Sequence, residues 1–354
     1  MFFERDVGLV ISYDTITFIT QIHLNLAGGG GSEMKVISFK NIADMNISPL
    51  MSYEWAEYMI KNKSNAILPP KISLKPFDGV FCNVMPSMVY LDNGCNTEGV
   101  KVVTRYPDRV PSLESRILLL NADSGEFLAL MDGTWITAMR TGAVAAHSII
   151  NFAKKDYRAI GMMGLGNVAR STMLILLAKD PDRELDIKLL KYKGQELDFA
   201  KRFEAYKNLH FSFVDTTEEM VKDSDIVIEG ATYLPNDVCK DEFFKEGVLV
   251  LPIHTLGFTN CDLFFDKVFA DDTGHVHHFK NFDKFRNFAE VSEVVNGLKP
   301  GRENDMERIL AYNIGISIHD IYFASKIYNL MAEKGVLDTL PDIEMDDPTE
   351  KFWI

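Results

Sequence analysis

Cysteine is scarce in this chain. There are four in 354 residues (Cys82, Cys95, Cys239 and Cys261), widely separated and with no CxxC pair. That spacing suggests neither a zinc knuckle nor a disulfide framework, and a reducing, cytoplasmic setting is expected. Basic residues are also in deficit, 37 Lys and Arg against 51 Asp and Glu, which leaves a net charge of -14. No Lys/Arg run with interleaved aromatics offsets this, which argues against a nucleic-acid partner. No apolar run approaches the ~20 residues needed to span a bilayer, so no membrane partner is expected. His275, His277 and His278 lie close together, but their spacing matches no ligand pattern and no thiol or carboxylate set completes one. No metal is expected. What remains is small-molecule chemistry in a chain that is 47% hydrophobic and long enough for two domains.

The first 33 residues end in Gly28-Gly29-Gly30-Gly31-Ser32-Glu33, immediately before the strand-like Met34 to Phe39. Either a flexible glycine linker joins an extra β-like peptide to the domain, or translation begins at Met34; in both cases residues 1–33 are expected to be non-catalytic. Ser48 and Pro49 then open a helix as N-cap and N1. Short β runs follow at Val80 to Met85, Val100 to Arg105, Arg116 to Asn121 and Phe127 to Met131, separated by Asn93-Gly94 and Ser124-Gly125 turns. This part looks antiparallel and α+β. Beyond Ile136 helices alternate with buried strands at Ala159 to Met163, Ile187 to Leu190, His210 to Val214, Asp225 to Ile228, Val248 to Leu251 and Val268 to Ala270. Thr216 and Glu219 read as a capping box. The fold class expected is α/β, a Rossmann-type doubly wound parallel sheet over 142–301 plus a discontinuous α+β domain of 34–141 and 302–354. A final helical stretch from Asp305 to Lys334 would return to the α+β domain, and the acidic tail from Pro341 would lie loosely on a surface. The phenylalanines at 279, 282, 285 and 288 have i, i+3 spacing and read as packing.

The apolar run Ala159 to Met163 leads into Gly164-Leu165-Gly166-Asn167-Val168-Ala169, which opens a helix. Gly164 suits a tight turn, Gly166 the approach of backbone to a pyrophosphate, and Ala169 close helix–strand packing. The N–H groups of the opening turn, at Asn167 and Val168, would face the phosphates. After the fourth strand, Ala231 and Thr232 complete the expected cofactor set. The second strand ends in Lys191-Tyr192-Lys193, with no carboxylate to accept from a ribose 2'-hydroxyl. Basic residues there accommodate a 2'-phosphate, so NADP is favoured over NAD; the alternative is that both lysines simply solvate a strand end.

Just upstream stand Leu128 to Gly133 and Ile136-Thr137-Ala138-Met139-Arg140-Thr141-Gly142-Ala143. Together with Leu68-Pro69-Pro70-Lys71, Met85-Pro86, Gly99-Val100-Lys101-Val102-Val103, Gly301-Arg302 and Asn313 to Asp320, they resemble the ornithine cyclodeaminase and mu-crystallin family, in that family's order. The resemblance spans about Met34 to Tyr328. It implies that Arg140 clamps a substrate α-carboxylate, where a guanidinium can bind in bidentate fashion. It implies that Lys101, with Met85 nearby, orients substrate or exchanges a proton. Lys71 stands where some members have arginine, so a bidentate contact becomes a point charge. Thr141 would serve the cofactor phosphates or nearby backbone, and a homodimer is implied.

One segment departs from the family. Cyclodeaminases place an aspartate in a glycine-rich loop after the fifth Rossmann strand, whereas this chain reads Leu251-Pro252-Ile253-His254-Thr255-Leu256-Gly257-Phe258-Thr259-Asn260-Cys261-Asp262. Asp262 is the nearest carboxylate and a catalytic candidate, though its position fits the following short helix better than the catalytic loop; His254 is a candidate replacement acid/base, and a structural loop histidine is the alternative. The expected activity is NAD(P)-dependent reduction of an imine, or dehydrogenation of the matching amino acid. The other readings are an ornithine cyclodeaminase-type ammonia lyase and a mu-crystallin-like, cofactor-dependent binding protein.

Overall fold

The computed structural model describes residues 34–90, 96–231, 234, 238–253 and 261–344, and Met34–Asp342 forms one unit. Its first sheet is laid down by β1 (Met34–Ile37), β2 (Ala66–Ile67), β3 (Ile72–Leu74), β4 (Phe81–Val89), β5 (Thr97–Arg105), β6 (Leu113–Asn121) and β7 (Phe127–Asp132). Spatial order is β1-β7-β6-β5-β4-β2, with β3 on β4; Pro341 and Asp342 do not lie loosely but flank β1, Pro341 O accepting from the Val36 N–H at 2.9 Å and Asp342 pairing with Lys35. All pairs are antiparallel except β1 with β7, which is parallel. Helices α1 (Phe39–Asp44) and α2 (Pro49–Lys61) separate β1 from the rest. Ser48 caps α2 as expected, accepting from the Met51 N–H.

Burial alternates along β5, so that Thr97, Gly99, Lys101 and Val103 point inward. The inward face meets a late helix, close enough that a Cβ on Gly99 would lie 2.8 Å from Ile321 Cδ1. The outward row Pro86, Val100, Leu118 and Leu130 is in register across four strands, wholly apolar and only partly buried.

The long helix α3 (Thr134–Phe152) leads out of β7. Then come β8 (Ala159–Met163), α4 (Asn167–Lys179), β9 (Leu185–Leu190), α5 (Gln195–Arg202), β10 (Leu209–Val214), β11 (Ile226–Glu229), β12 (Leu249–Pro252), β13 (Lys267–Ala270), β14 (Ala289–Glu290) and β15 (Ile309–Tyr312). They form an all-parallel sheet in the order β10-β9-β8-β11-β12-β15-β13-β14. Strands run outward from β8 through β9 to β10 on one side and from β11 to β12 on the other, which puts the switch in strand order between β8 and β11, at the C-terminal end of β8. Apolar clusters cover both faces: one joins Ile160 and Ile187 to Ala143 of α3 and Ile117 of the first sheet, the other gathers Val227, Val250, Phe265 and Leu310.

The sequence suggests one helix over 305–334, and the structure corrects this. Ile309-Leu310-Ala311-Tyr312 is a fully buried strand lying between β12 and β13, and only Ser317–Glu333 is helical (α6). A four-residue apolar run carries no periodicity that separates buried strand from buried helix, and Gly315, at φ 74°, divides the two elements. The Phe279 to Phe288 run is not a continuous helix either. It turns through a short 3-10 segment, with the Phe282, Phe285 and Phe288 rings packed on one another and Phe285 on Tyr312. The capping pair at 216–219 is half realised: Thr216 caps the Glu219 N–H, but the Glu219 carboxylate reaches the Asp215 N–H. Residues 1–33, the Asn93-Gly94 turn and the tail beyond 344 lie outside the described residues.

Helices α3 and α4 meet backbone to backbone. A Cβ on Gly142 would lie 2.5 Å from Ser171 Cβ and 2.7 Å from the Thr172 nitrogen. Gly142→Ala therefore sets two effects against each other: helix propensity gains about 1 kcal/mol, while overpacking costs about 1–3 kcal/mol. The rigid neighbours make overpacking win, and G142A is expected to lower the urea midpoint of unfolding; an unchanged or raised midpoint contradicts this packing.

Candidate functional site

The glycine-rich turn sits at the C-terminal end of β8. Gly164 adopts φ 71°, and a Cβ there would lie 2.1 Å from both the Gly230 carbonyl carbon and the Ala231 nitrogen, so glycine is required twice over. Gly166 has nothing within 4 Å of where a Cβ would sit, and it precedes α4 without any side-chain cap. The first N–H groups of α4 thus open onto free space beside exposed Asn167 and half-buried Val168, while Ala169 is buried against the sheet. An open, uncapped helix start behind a glycine cradle fits the pyrophosphate of a dinucleotide. Ala231 lies across from Gly164 and donates its N–H to Glu229 Oε1 at 2.6 Å.

Beneath the first sheet's inward face lies a buried charge cluster. Lys101 Nζ and Arg140 Nε both donate to Asp320 Oδ1, at 2.9 and 2.8 Å, and the three side chains are 1%, 5% and 0% exposed. Arg140 Nη1 and Asp320 Oδ2 are buried without a hydrogen-bond partner among the described residues. Gly315 lies flat against this guanidinium: a Cβ there would be 2.2 Å from Nη1. Asp271, at the end of β13, holds Gly315 and Asn313 in place by accepting from the Gly315 N–H and Asn313 Nδ2.

The electrostatics follow from burial. Desolvation, and then the Arg140 charge, push Lys101 down to about 8 against the pull of Asp320. Lys71 is also lowered to about 8, by burial and by Arg140 and Lys75, which places it within the field of the same guanidinium. Burial alone would raise Asp320, but Arg140 and Lys101 hold its carboxyl below the usual range. Burial and Arg140 lower His319 to about 3, so it stays neutral. Cations outnumber anions here, and the unpartnered edge of Arg140 is suited to a carboxylate.

The structure thus brings Lys71, Lys101 and Arg140 together, with Met85 paired to Lys101 in register across β4 and β5. Thr141 is buried and donates to Thr137 O within α3 at 2.7 Å. Asp262 is not among them: its carboxylate takes a hydrogen bond from the Tyr312 hydroxyl and another from Asn281 at 3.5 Å. Lys191, at the end of β9, pairs with exposed Asp215 at 3.0 Å, and Lys193 lies over the Tyr192 ring. His254 and Thr232 lie outside the described residues. His275 bonds Asp272, a carboxylate that Lys63 also engages.

Asp320, Gly315, Asp271 and Glu229 go unassigned in a reading of the sequence alone. The signal for Asp320 is a carboxylate set among Ile318, Ile321 and Phe323 in a helix that is buried nearly all round. Glu229 ends an otherwise apolar strand and is itself 0% exposed.

The model of the Ornithine cyclodeaminase/mu-crystallin family matches residues 38–335. The nodulation efficiency protein NfeD of Rhizobium meliloti is 24% identical over 321 residues, covering 85% of this chain and 96% of that protein. The delta(1)-pyrroline-2-carboxylate reductase of Bacillus thuringiensis is 26% identical over 276 residues, 72% of this chain and 82% of that protein. Among solved structures, the Thermococcus litoralis delta(1)-pyrroline-2-carboxylate reductase in complex with NADH and L-proline superposes with a TM-score of 0.75 at 25% identity, covering 86% of this chain and 99% of that one.

Burial pushes the Glu229 carboxyl from 4.5 up to about 8, opposed by the Ala231 N–H. A carboxyl whose value is raised on folding favours the unfolded chain as pH climbs, because the unfolded chain gives up its proton first. Stability due to Glu229 is therefore expected to fall from about pH 5 to pH 8. Glu229→Gln removes this loss. Urea unfolding at the two pH values should show the variant gaining on the wild type at pH 8; parallel behaviour contradicts a buried, protonated Glu229.

Proposed function

The chain belongs to the ornithine cyclodeaminase/mu-crystallin family, and on that footing we propose that it is a nicotinamide-dependent oxidoreductase. It reduces a C=N bond adjacent to a carboxylate, and in reverse oxidises the corresponding amino acid. The observation that carries this reading is the pair Lys101 and Arg140, held on one oxygen of Asp320 with the far edge of Arg140 unpartnered. Arg140 receives the substrate carboxylate through Nη1, and Lys71 adds charge beside it. Lys101 gives a proton to the imine nitrogen as the neighbouring carbon becomes tetrahedral, and regains one from solvent. A bound nicotinamide supplies the hydride that this carbon takes up. Gly164, Gly166 and the first turn of α4 hold the pyrophosphate, with Asn167, Val168, Ala169, Thr141, Ala231 and Thr232 around it.

In this proposal the first sheet with α6 holds substrate, and the parallel sheet holds cofactor. NADP(H) is the preferred form, because Lys191 and Lys193 directly follow β9 and the carboxylate beside Lys191 belongs to exposed Asp215, after β10. The exposed Lys191–Asp215 pair is worth only about 0–1 kcal/mol, whereas a charge-assisted phosphate contact contributes about 1.5–3 kcal/mol, so Lys191 exchanges one partner for the other. Two copies associate through the outward row Pro86, Val100, Leu118 and Leu130, an apolar strip of the kind subunit interfaces cover.

A panel of amino acids, cyclic imines, and keto acids with amines, assayed with both cofactors, tests the activity. Net change in nicotinamide absorbance is expected, with lower KM for NADP(H), and Arg140→Ala should reduce kcat/KM by about a hundredfold or more through loss of a charged hydrogen bond pair. Ammonia release without net absorbance change points instead to a cyclodeaminase. Light scattering tests the association: a dimer is expected for the wild type and a monomer for Leu118→Asp, and a wild-type monomer rules the interface out.

A further inference from the structure

Lys101 and Arg140 come from different elements, β5 and α3, and nothing in their local backbone fixes one relative to the other. Both reach the same oxygen of Asp320, which stands on α6, itself packed on β4, β5, α2 and α3. The groups facing Lys101 can be named element by element: Arg140 from α3, Asp320 from α6 and Lys71 from the segment before β3. Its strand neighbours Met85 and Ile117 are uncharged. Arg140 faces the same Asp320 and Lys71, with Asp271 and His319 beyond. Asp320 is therefore the one anion in hydrogen-bonding contact with the two cations among the described residues.

We propose that Asp320 is a positioning residue of the reaction: by bridging Lys101 to Arg140 through one oxygen, it keeps a proton on Lys101 for the substrate nitrogen and turns the Nη edge of Arg140 toward the substrate carboxylate. This deepens the oxidoreductase reading and rests on it. The chemistry supplies the reason. Two cations a few ångströms apart in a dry interior disfavour each other's charge, and the easier one to neutralise is the lysine. Asp320 opposes that loss, while its use of Nε alone leaves Nη1 of Arg140 available. During turnover Lys101 transfers one proton to nitrogen and is left neutral beside Asp320, which favours its reprotonation.

The test is Asp320→Asn, an isosteric change that removes the charge. Loss of the anion lowers the pH at which Lys101 gives up its proton, so the alkaline limb of kcat/KM for imine reduction is expected to move down by about one pH unit or more. At pH 8 kcat/KM should fall at least about tenfold. Fluorescence titration with reduced cofactor should give an unchanged Kd, and calorimetric titration of L-proline should show weaker binding whose dependence on pH moves with the kinetic limb. A D320N enzyme whose pH profile matches the wild type overturns the proposal, whatever its absolute rate. If D320N does not fold, Asp320→Glu keeps the charge but displaces the oxygen: the limb is then expected to stay in place while kcat falls, and wild-type kcat overturns the positioning role. Absence of any imine or amino-acid turnover by the wild type refutes the oxidoreductase reading instead, so the two failures are separable.

Discussion

Two cations donating to a single buried carboxylate oxygen are the constraint around which this molecule is arranged. Moving Lys101, Arg140 and Asp320 out of water is expensive, and the contacts among them offset that cost only while all three stay in place. Removing one partner from such a cluster typically costs about 3–5 kcal/mol, so the fold must deliver β5, α3 and α6 to one point. The hydrogen bonds that serve this are themselves buried: Asp271 fixes the Gly315 turn, and Gly315 presents a bare backbone to Arg140. Charge is then left over. Lys71 and the unpartnered edge of Arg140 make this cluster electropositive in a chain whose net charge is strongly negative.

The second constraint joins this cluster to the dinucleotide turn. Arg140 lies on α3 and the glycine turn opens α4, and the two helices touch where Gly142 meets Ser171 and Thr172. Gly142 follows Arg140 by two residues, while Ser171 follows Gly166 by five. A close backbone contact therefore ties the residue proposed to hold substrate to the turn proposed to hold cofactor. This close packing couples the positions of the two helices, as preorganised transfer between two bound molecules requires.

Much of this was legible in the sequence, and the parts that were not have physical reasons. Alternating burial in β4 to β7, and apolar runs punctuated by glycine in β8 to β12, leave periodic traces. The Gly164 turn is local, and its residue types follow from backbone geometry. Asp320 is different: it stands 219 positions from Lys101 and 180 from Arg140, and only folding makes the three neighbours. Strand β15 was concealed because Ile309 to Tyr312 is too short to show a period. Asp262 was a candidate only as the carboxylate nearest the altered loop, and its side chain meets Tyr312 and Asn281.

The central claim is that the buried cations and the glycine turn serve one reaction, transfer of hydrogen to the carbon beside a carboxylate. Reduced cofactor carrying deuterium at the transferable position of its nicotinamide, incubated with the preferred imine and followed by mass spectrometry, tests this most directly. The account predicts one deuterium per turnover on the α-carbon of the amino-acid product. Product formed without deuterium at that carbon contradicts it.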